Sequence, residues 1–148
     1  SNLPKGSARF ETLPPTRVVT YNVDLLALDT TALRSDDVAQ VAWDRASLIA
    51  LPPALHTEYA QKLLSLLDDN GRVLLVTLDY QSPKTIGPPF AVPKSQVVQL
   101  FEAQGCHVEH LAALPDANPS PRLVKNGATD VTEHVYLVSK KLNKSTSE

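Results

Sequence analysis

Apolar positions in the first half of this chain form two short runs and then one segment with helical spacing. The runs at residues 17–28 and 38–43 predict strands, the second of them short and buried. After a proline pair at residues 52–53, apolar residues recur three and four positions apart, which predicts a helix. Residues 70–71, Asn-Gly, are expected to end this helix, because glycine adopts the left-handed cap conformation at little cost.

The second half of the chain also alternates between apolar runs and helical spacing. A near-continuous apolar run at residues 72–80 is typical of a parallel strand covered on both faces. Residues 93–105 predict a helix between a proline and a glycine, and residues 106–114 predict a weaker strand. A loop is expected at 115–132 and a last strand at 133–140. This order predicts an α/β fold with helices packed on a sheet.

The length of 148 residues predicts a single domain. Residues 1–16 lack periodicity and predict a loop, and residues 141–148 predict a polar tail. The predicted strands and helices all lie between them, at residues 17–140.

Composition and charge argue against several classes of partner. The net charge is −2 without a basic block, so a nucleic-acid partner is not expected. No apolar run reaches membrane-spanning length, and one cysteine cannot form an internal disulfide, which together favour a cytoplasmic protein. That residue, Cys106, is expected to be a small core residue. No metal site is expected, because the histidines are scattered: His56, His107, His110 and His134.

Charged and polar residues lie toward the carboxyl ends of three of the predicted strands. Ligands of α/β sheets bind beyond the carboxyl ends of the strands, which is where Asp24, the pair Asp44 and Arg45, and the pair Asp79 and Tyr80 are expected. From the residues alone, Asp44 and Arg45 are also explained as a structural ion pair, and Asp24 as a strand terminus. Tyr80 is also explained as a half-buried packing residue. These positions mark a candidate site without fixing its chemistry.

Three stretches occur in the order found in one enzyme family. They are WDRASLIALPP at residues 43–53, LLVTLDY with GPPFAVP at residues 74–80 and 87–93, and EHVYLVSK at residues 133–140. On these stretches the chain resembles the C-terminal part of thiopurine S-methyltransferases, which are class I S-adenosylmethionine-dependent enzymes. The resemblance implies a partial Rossmann-like sheet of parallel strands with a C-terminal antiparallel strand.

The resemblance also implies roles for particular residues. Val23, Asp24 and Leu25 match the segment that contacts the adenine of S-adenosylmethionine. Arg45, in the Trp-Asp-Arg motif, matches an arginine near the methyl-transfer centre and the substrate, and it is the candidate catalytic residue. These implications make S-adenosylmethionine the expected cofactor and a small thiol the expected substrate.

Two further elements match substrate contacts of the family. Arg122 lies at the spacing of a second substrate-contacting arginine, although from the residues alone it is simply a solvated loop residue. Pro89 and Phe90 belong to a loop that covers the active site in the family, and a proline-rich turn is also explained as a rigid connector.

The chain departs from the family in its glycines. None of the five glycines forms a G-x-G pattern, so the glycine-rich cofactor loop has no counterpart, and neither have the first two strands of the family sheet. The chain is therefore expected to be a truncated family domain with an apolar strand edge exposed. A second copy of the chain or a complementary N-terminal half is the expected partner.

Two functions are compatible with this pattern. The first is an S-methyltransferase completed by its N-terminal half, in which an arginine lowers the pKa of a bound thiol and orientation supplies most of the rate. This reaction requires no general base. The alternative is a catalytically inactive fragment that acts as a homo-oligomeric or partner-binding module.

Overall fold

A computed structural model describes residues 3–140 of the chain. Within them the strands are β1 (Ala8–Glu11), β2 (Val19–Asn22), β3 (Ala39–Asp44), β4 (Leu67–Gln81), β5 (Cys106–Pro115) and β6 (Thr129–Lys140). The helices are α1 (Ser47–Ala50), α2 (His56–Ser65), α3 (Lys94–Glu102) and α4 (Pro121–Lys125). No helix in this range is long and apolar enough to cross a membrane. The predicted polar tail at 141–148 lies outside the described residues.

The main sheet has four strands in the order β3-β4-β6-β5. β3 is parallel to β4, whereas β6 is antiparallel to both of its neighbours, β4 and β5. The chain passes from β3 to β4 through α1 and α2, and from β4 to β5 through α3. This arrangement confirms the predicted α/β fold, in which parallel strands are joined by a C-terminal antiparallel strand.

Among residues 3–140, helices cover only one face of the main sheet. Val73, Leu75, Tyr136 and Val138 are fully buried in the core that α2 and α3 complete. Side chains alternate between the faces of a strand, so Leu74 points away from this core and is 37% exposed. The prediction that the strand at residues 72–80 is covered on both faces is therefore wrong for the described structure.

The strand predicted to be short and buried, β3, lies at the edge of the sheet. Its Val41 and Trp43 side chains are 64% and 73% exposed. Trp43 pairs with Leu74, and directly paired residues point to the same side of a sheet. Leu114 lies on this side as well, because it pairs with Glu133, which pairs with Leu78. We refer to Val41, Trp43, Leu74 and Leu114 as the uncovered face.

β1 and β2 form a separate antiparallel hairpin. The predicted loop at residues 1–16 therefore contains a strand, and the strand predicted at residues 17–28 is limited to four residues. It ends early because the carboxylate of Asp24 accepts the backbone N–H of Leu26 at 3.0 Å, which turns the chain.

A buried carboxylate anchors the hairpin to the segment before β3. The Asp37 side chain is 2% exposed and accepts Arg9 Nε at 2.8 Å, together with hydrogen bonds from Arg17 and Tyr21. The Arg9 guanidinium holds the pKa of Asp37 well below its usual range.

Of the two helix ends predicted from glycines, one is wrong and one is confirmed. α2 ends at Ser65, not at residues 70–71, and Gly71 lies inside β4. A Cβ atom on Gly71 would lie 2.4 Å from Cβ of Leu67, so close packing explains this glycine. The stop after α3 is confirmed, since Gly105 has a φ of 79°. The predicted loop at 115–132 includes α4 and the start of β6.

Candidate active site

The carboxyl ends of β3 and β4 lie at one edge of the main sheet, because the two strands are parallel. Arg45 directly follows β3 and precedes α1. β4 continues past the end of β3 and leads into residues 87–90, Gly-Pro-Pro-Phe, which we call the GPPF loop. The structure therefore places Arg45 and the GPPF loop after neighbouring strands, as a site in an open α/β sheet requires.

Asp44 connects three elements at this edge. Its side chain is buried, with the residue 3% exposed, and it accepts the backbone N–H of Ser47 at 2.9 Å and the Tyr59 hydroxyl at 2.7 Å. It thereby joins the end of β3 to α1 and α2. Burial, followed by the charge of Asp44, raises the pKa of the Tyr59 hydroxyl. Arg45 forms its ion pair with Glu133 and not with Asp44, so the interpretation of Asp44 and Arg45 as a structural ion pair is wrong.

Arg45 points away from Asp44 and toward solvent. Its side chain is 64% exposed, and its Nη2 atom lies 3.3 Å from Oε1 of Glu133 on β6. A guanidinium carries five N–H donors in a fixed fork, so this one long contact leaves donors for an anionic ligand. The hydrogen bonds of the buried neighbour Asp44 fix the backbone at Arg45, so Arg45 has a defined position at the edge of the sheet.

The GPPF loop is fixed to the sheet at several points. The Tyr80 hydroxyl lies 2.9 Å from the carbonyl oxygens of both Ile86 and Pro89. The backbone N–H of Phe90 donates to the Ile49 carbonyl of α1 at 2.7 Å. Tyr80 is thus a buried anchor of the loop, and α1, which follows Arg45, is hydrogen-bonded to the loop directly.

Arg122 lies against the same loop. It belongs to α4, and its Nη2 atom donates to the Gly87 carbonyl at 2.7 Å. α4 is secured by Leu123, which is 1% exposed. A Cβ atom on Gly87 would lie 2.4 Å from the Phe90 ring, so only glycine lets this ring fold back over the loop. The structure therefore brings Arg122 and Phe90 together, with Pro89 in the same loop but hydrogen-bonded to Tyr80.

Replacing Tyr80 by phenylalanine is expected to loosen the GPPF loop. The two carbonyl oxygens lose their hydroxyl partner, which lowers the local opening free energy by about 1–2 kcal/mol. Amide hydrogen exchange at Phe90 and Val92 should then accelerate roughly tenfold. The amide of Val138, in the centre of the sheet, serves as the internal control. Unchanged exchange at Phe90 and Val92 would contradict the anchoring role.

The residues matched to adenine contacts lie elsewhere. Val23 and Leu25 line a cavity of about 440 Å³ together with Ala39 and Leu66, at the amino end of β3. Ala39 and Arg45 are six residues apart along an extended strand, a span of about 20 Å. The described residues therefore do not bring Val23 and Leu25 into one cavity with Arg45. Asp24 stands between the two cavity residues and caps its own turn.

A pair of histidines was missed by the sequence analysis. His110 Nε2 lies 3.0 Å from His134 Nδ1, and the His110 ring centroid lies 5.0 Å from that of Tyr136. Burial, followed by the neighbouring His110, lowers the pKa of His134. The register of β5 and β6 brings the two histidines together. No group of three or more metal-ligating side chains occurs within residues 3–140.

The lowered pKa of His134 predicts a pH-dependent stability. The folded protein binds fewer protons at this site than the unfolded chain, whose histidine pKa is about 6.5. Stability from this site is therefore complete above pH ~6.5 and is lost as the pH falls through the lower folded-state pKa. His134→Gln should flatten the decrease in melting temperature between about pH 7 and 5.5. The exposed His107→Gln is the matched control, and equal slopes in both variants would contradict the prediction.

Comparison with known proteins identifies the family. The family model for thiopurine S-methyltransferase matches residues 7–141. The thiopurine S-methyltransferase of Vibrio campbellii is 41% identical over 103 residues, which are 70% of this chain and 47% of that protein. That of Pseudomonas putida is 41% identical over 121 residues, which are 80% of this chain and 55% of that protein. The chain spans about half the length of the curated relatives it matches.

Solved structures with a partly similar shape include the 1,6-didemethyltoxoflavin-N1-methyltransferase of Burkholderia thailandensis, which contains bound 1,6-didemethyltoxoflavin and S-adenosylhomocysteine. It is 17% identical, with a TM-score of 0.48 over 78% of this chain and 49% of that protein. The [4+2]-cyclase SpnF is 14% identical, with a TM-score of 0.49 over 77% and 54% of the two chains. The family assignment follows from the match over residues 7–141: the chain belongs to the thiopurine S-methyltransferase family.

Proposed function

We propose that this chain carries the acceptor-binding side of an S-adenosylmethionine-dependent S-methyltransferase that acts on a small thiol or a similar soft nucleophile. One observation carries the proposal: hydrogen bonds connect α4, the GPPF loop and α1 at the edge of the sheet where Arg45 lies. Arg122 donates to Gly87, and Phe90 donates to Ile49. Arg122 is thus connected through the GPPF loop to α1, which begins two residues after Arg45.

The residues at this edge suit a thiolate acceptor. Arg45 and Arg122 are permanent cations, so a thiol bound beside either one loses its proton more readily. The Phe90 ring and the prolines of the GPPF loop offer an apolar wall for the body of the acceptor. Because the loop is tied to Tyr80 and α1, it is able to hold the acceptor in a fixed orientation, which is a major source of rate in methyl transfer.

The described residues do not fit a complete cofactor site. S-adenosylmethionine would supply the electrophilic methyl group, but Val23 and Leu25 line a cavity with Ala39, which lies about 20 Å from Arg45 along β3. The chain also has no G-x-G loop to approach the cofactor closely. We infer that most of the cofactor contacts belong to the part of the family sequence that this chain does not match. In the completed protein, Val23, Asp24 and Leu25 remain the proposed adenine contacts.

A calorimetric titration tests this division of the site. The proposed function predicts no saturable heat when S-adenosylhomocysteine is added to this chain alone. The same titration should give saturable heat after this chain is combined with the part of the Pseudomonas putida relative that it does not match, which we call the complementary part. Saturable binding to the chain alone would contradict the proposed division.

A second candidate function is favoured by the uncovered face. A catalytically inactive chain with Val41 and Trp43 exposed at an unprotected edge strand would act as a homo-oligomer or as a partner-binding module. Light scattering distinguishes the two functions. A stable dimer of the isolated chain favours the second, whereas a monomer that associates with the complementary part favours the methyltransferase.

The single tryptophan of the chain provides a direct signal for coverage of this face. Addition of the complementary part is expected to shift the emission of Trp43 to shorter wavelength, because the indole leaves water for an apolar contact. Val41→Asp should abolish the shift, since it places a charge in that contact. Val124→Asp, at an exposed position of α4, is the matched control. Binding without any change in Trp43 emission would mean that another surface is used.

A further inference from the structure

Two histidines from neighbouring strands lie on the core side of the main sheet. Tyr136 is fully buried in the core, and His134, two residues before it on β6, points to the same side. His110 on β5 pairs directly with Tyr136, so it lies on this side as well. Glu133, the partner of Arg45, points to the opposite side. The two histidines are therefore separated from the proposed acceptor site by the sheet.

An irregularity in β5 brings the two imidazole rings together. His110 pairs with Tyr136, but the register shifts between His110 and Ala112, and His134 is then opposite Ala113. A bulge of this kind turns a side chain in a new direction and is frequent beside functional sites. As a result, His110 Nε2 lies 3.0 Å from His134 Nδ1, with the ring centroids 5.1 Å apart.

The distance between these two nitrogen atoms suits two neighbouring ligands of one metal ion. Imidazole nitrogens bind such ions at about 2.0–2.1 Å, so two ligands at right angles lie about 2.8–3.0 Å apart, and two tetrahedral ligands about 3.4 Å. The observed 3.0 Å matches the right angle of square-planar or octahedral coordination. Rotation of the rings is therefore sufficient to direct both nitrogens at one ion, and the strands need not move.

The groups beside the histidines also suit a bound cation. The Tyr136 hydroxyl is buried and has no hydrogen-bond partner among the described residues, and such a group calls for a water molecule or an ion. The charge of Asp79 acts on both His134 and Tyr136 and favours a cation there, whereas Lys94 opposes it at His134. A metal ion with bound water would add positive charge beside Asp79 and a hydrogen-bond donor near Tyr136.

We propose that His110 and His134 together bind one divalent transition-metal ion, with Cu²⁺ bound most tightly and water molecules as the remaining ligands. Among these ions Cu²⁺ binds imidazole most strongly, and it favours ligands at right angles. The ion takes the place of the hydrogen bond between the rings. Each neutral ring then carries its proton on the outer nitrogen, Nδ1 of His110 and Nε2 of His134, so no proton is released. The site does not depend on the proposed function, because it uses no residue of the proposed acceptor site.

Electron paramagnetic resonance of the chain with one equivalent of Cu²⁺ tests this site. The parent should bind one ion, whose spectrum shows coupling to two imidazole nitrogens. His110→Gln and His134→Gln should each weaken binding at least about tenfold, because only one imidazole remains. His107→Gln is the matched control, since His107 is exposed and lies on the other side of β5. It should bind Cu²⁺ like the parent.

Thermal unfolding gives a second measurement of the same site. Cu²⁺ at a concentration that saturates the parent should raise the melting temperature of the parent and of His107→Gln, and should raise it much less in His110→Gln and His134→Gln. Coupling to a single nitrogen, equal affinity in His134→Gln and the parent, or loss of binding in His107→Gln would overturn the site. Neither measurement involves methyl transfer, so failure of the metal site and failure of the proposed function are observed separately.

Discussion

Asp44→Ala is expected to lower the free energy of unfolding by about 3 kcal/mol, the cost of deleting a buried charged acceptor and leaving its donor unpaired. The Tyr59 hydroxyl loses its acceptor in an environment where Tyr59 is 3% exposed. The backbone N–H of Ser47 loses its bond as well, so α1 is released from the end of β3. Urea denaturation monitored by circular dichroism measures the change, with the slope of the transition expected to remain constant.

Two variants identify the cause of this loss. Asp69→Ala removes an exposed carboxylate from the same chain and should change stability by no more than about 0.5 kcal/mol. In a Tyr59→Phe background, Asp44→Ala should cost less, because no orphaned hydroxyl remains; the coupling is expected to be about 1–3 kcal/mol. If Asp44→Ala is as stable as Asp69→Ala, Asp44 does not join β3 to α1 and α2.

Arg45→Ala is expected to reduce kcat/KM for an aromatic thiol about 100-fold in the completed protein, which corresponds to about 2.7 kcal/mol of lost transition-state stabilisation. The proposed reason is loss of the cation that favours the thiolate. The pH at which activity reaches half its maximum should therefore move upward, toward the pKa of the free thiol. Stability should change little, since the bond to Glu133 is an exposed ion pair.

Arg72→Ala is the matched control for this effect. Arg72 is an exposed arginine on β4, opposite Val41 near the amino end of the shared edge. Its removal changes the net charge equally but leaves the proposed acceptor site intact. Arg45→Lys should recover part of the activity, because it restores the charge without the fork. Full activity in Arg45→Ala, with an unshifted pH profile, would remove Arg45 from the mechanism.

Local sequence signals were sufficient for some elements of the fold. α3 was predictable because Pro93 and Gly105 bracket its apolar positions, and both act through backbone conformation. β1 was not predictable, since its four residues gain stability only by pairing with β2, eight positions further along the chain. Gly71 was misinterpreted because a glycine required by side-chain packing looks the same in sequence as a helix cap.

The uncovered face could not be predicted from the sequence for a related reason. The apolar run at residues 72–80 predicts a strand, but it does not show whether both faces of that strand are covered. Whether the side of the sheet that carries Leu74 is covered depends on elements outside the run. The position of β3 at the sheet edge follows from the strand order, which is a long-range property. The exposure of Trp43 therefore follows from the strand order β3-β4-β6-β5 and not from the local sequence.

The candidate site was only partly accessible from sequence. Arg45 and Arg122 were identified through the resemblance. A sequence motif identifies such residues but does not show which other residues surround them in the structure. The role of Asp44 depends on Tyr59, which reaches it only after α2 folds back onto the sheet. The meeting of His110 and His134 requires the register of two strands, and no signal in either segment contains that register.

The measurement that tests the central claim most directly is methyl transfer from S-adenosylmethionine to an aromatic thiol, followed by mass spectrometry of the methylated product. This chain, the complementary part and an equimolar mixture of the two are assayed side by side. The account predicts product above background only in the mixture, and its loss when the chain carries Arg45→Ala. Product formed equally well by the complementary part alone, or no product from a mixture in which Trp43 is buried, would contradict the assignment of the acceptor side to this chain.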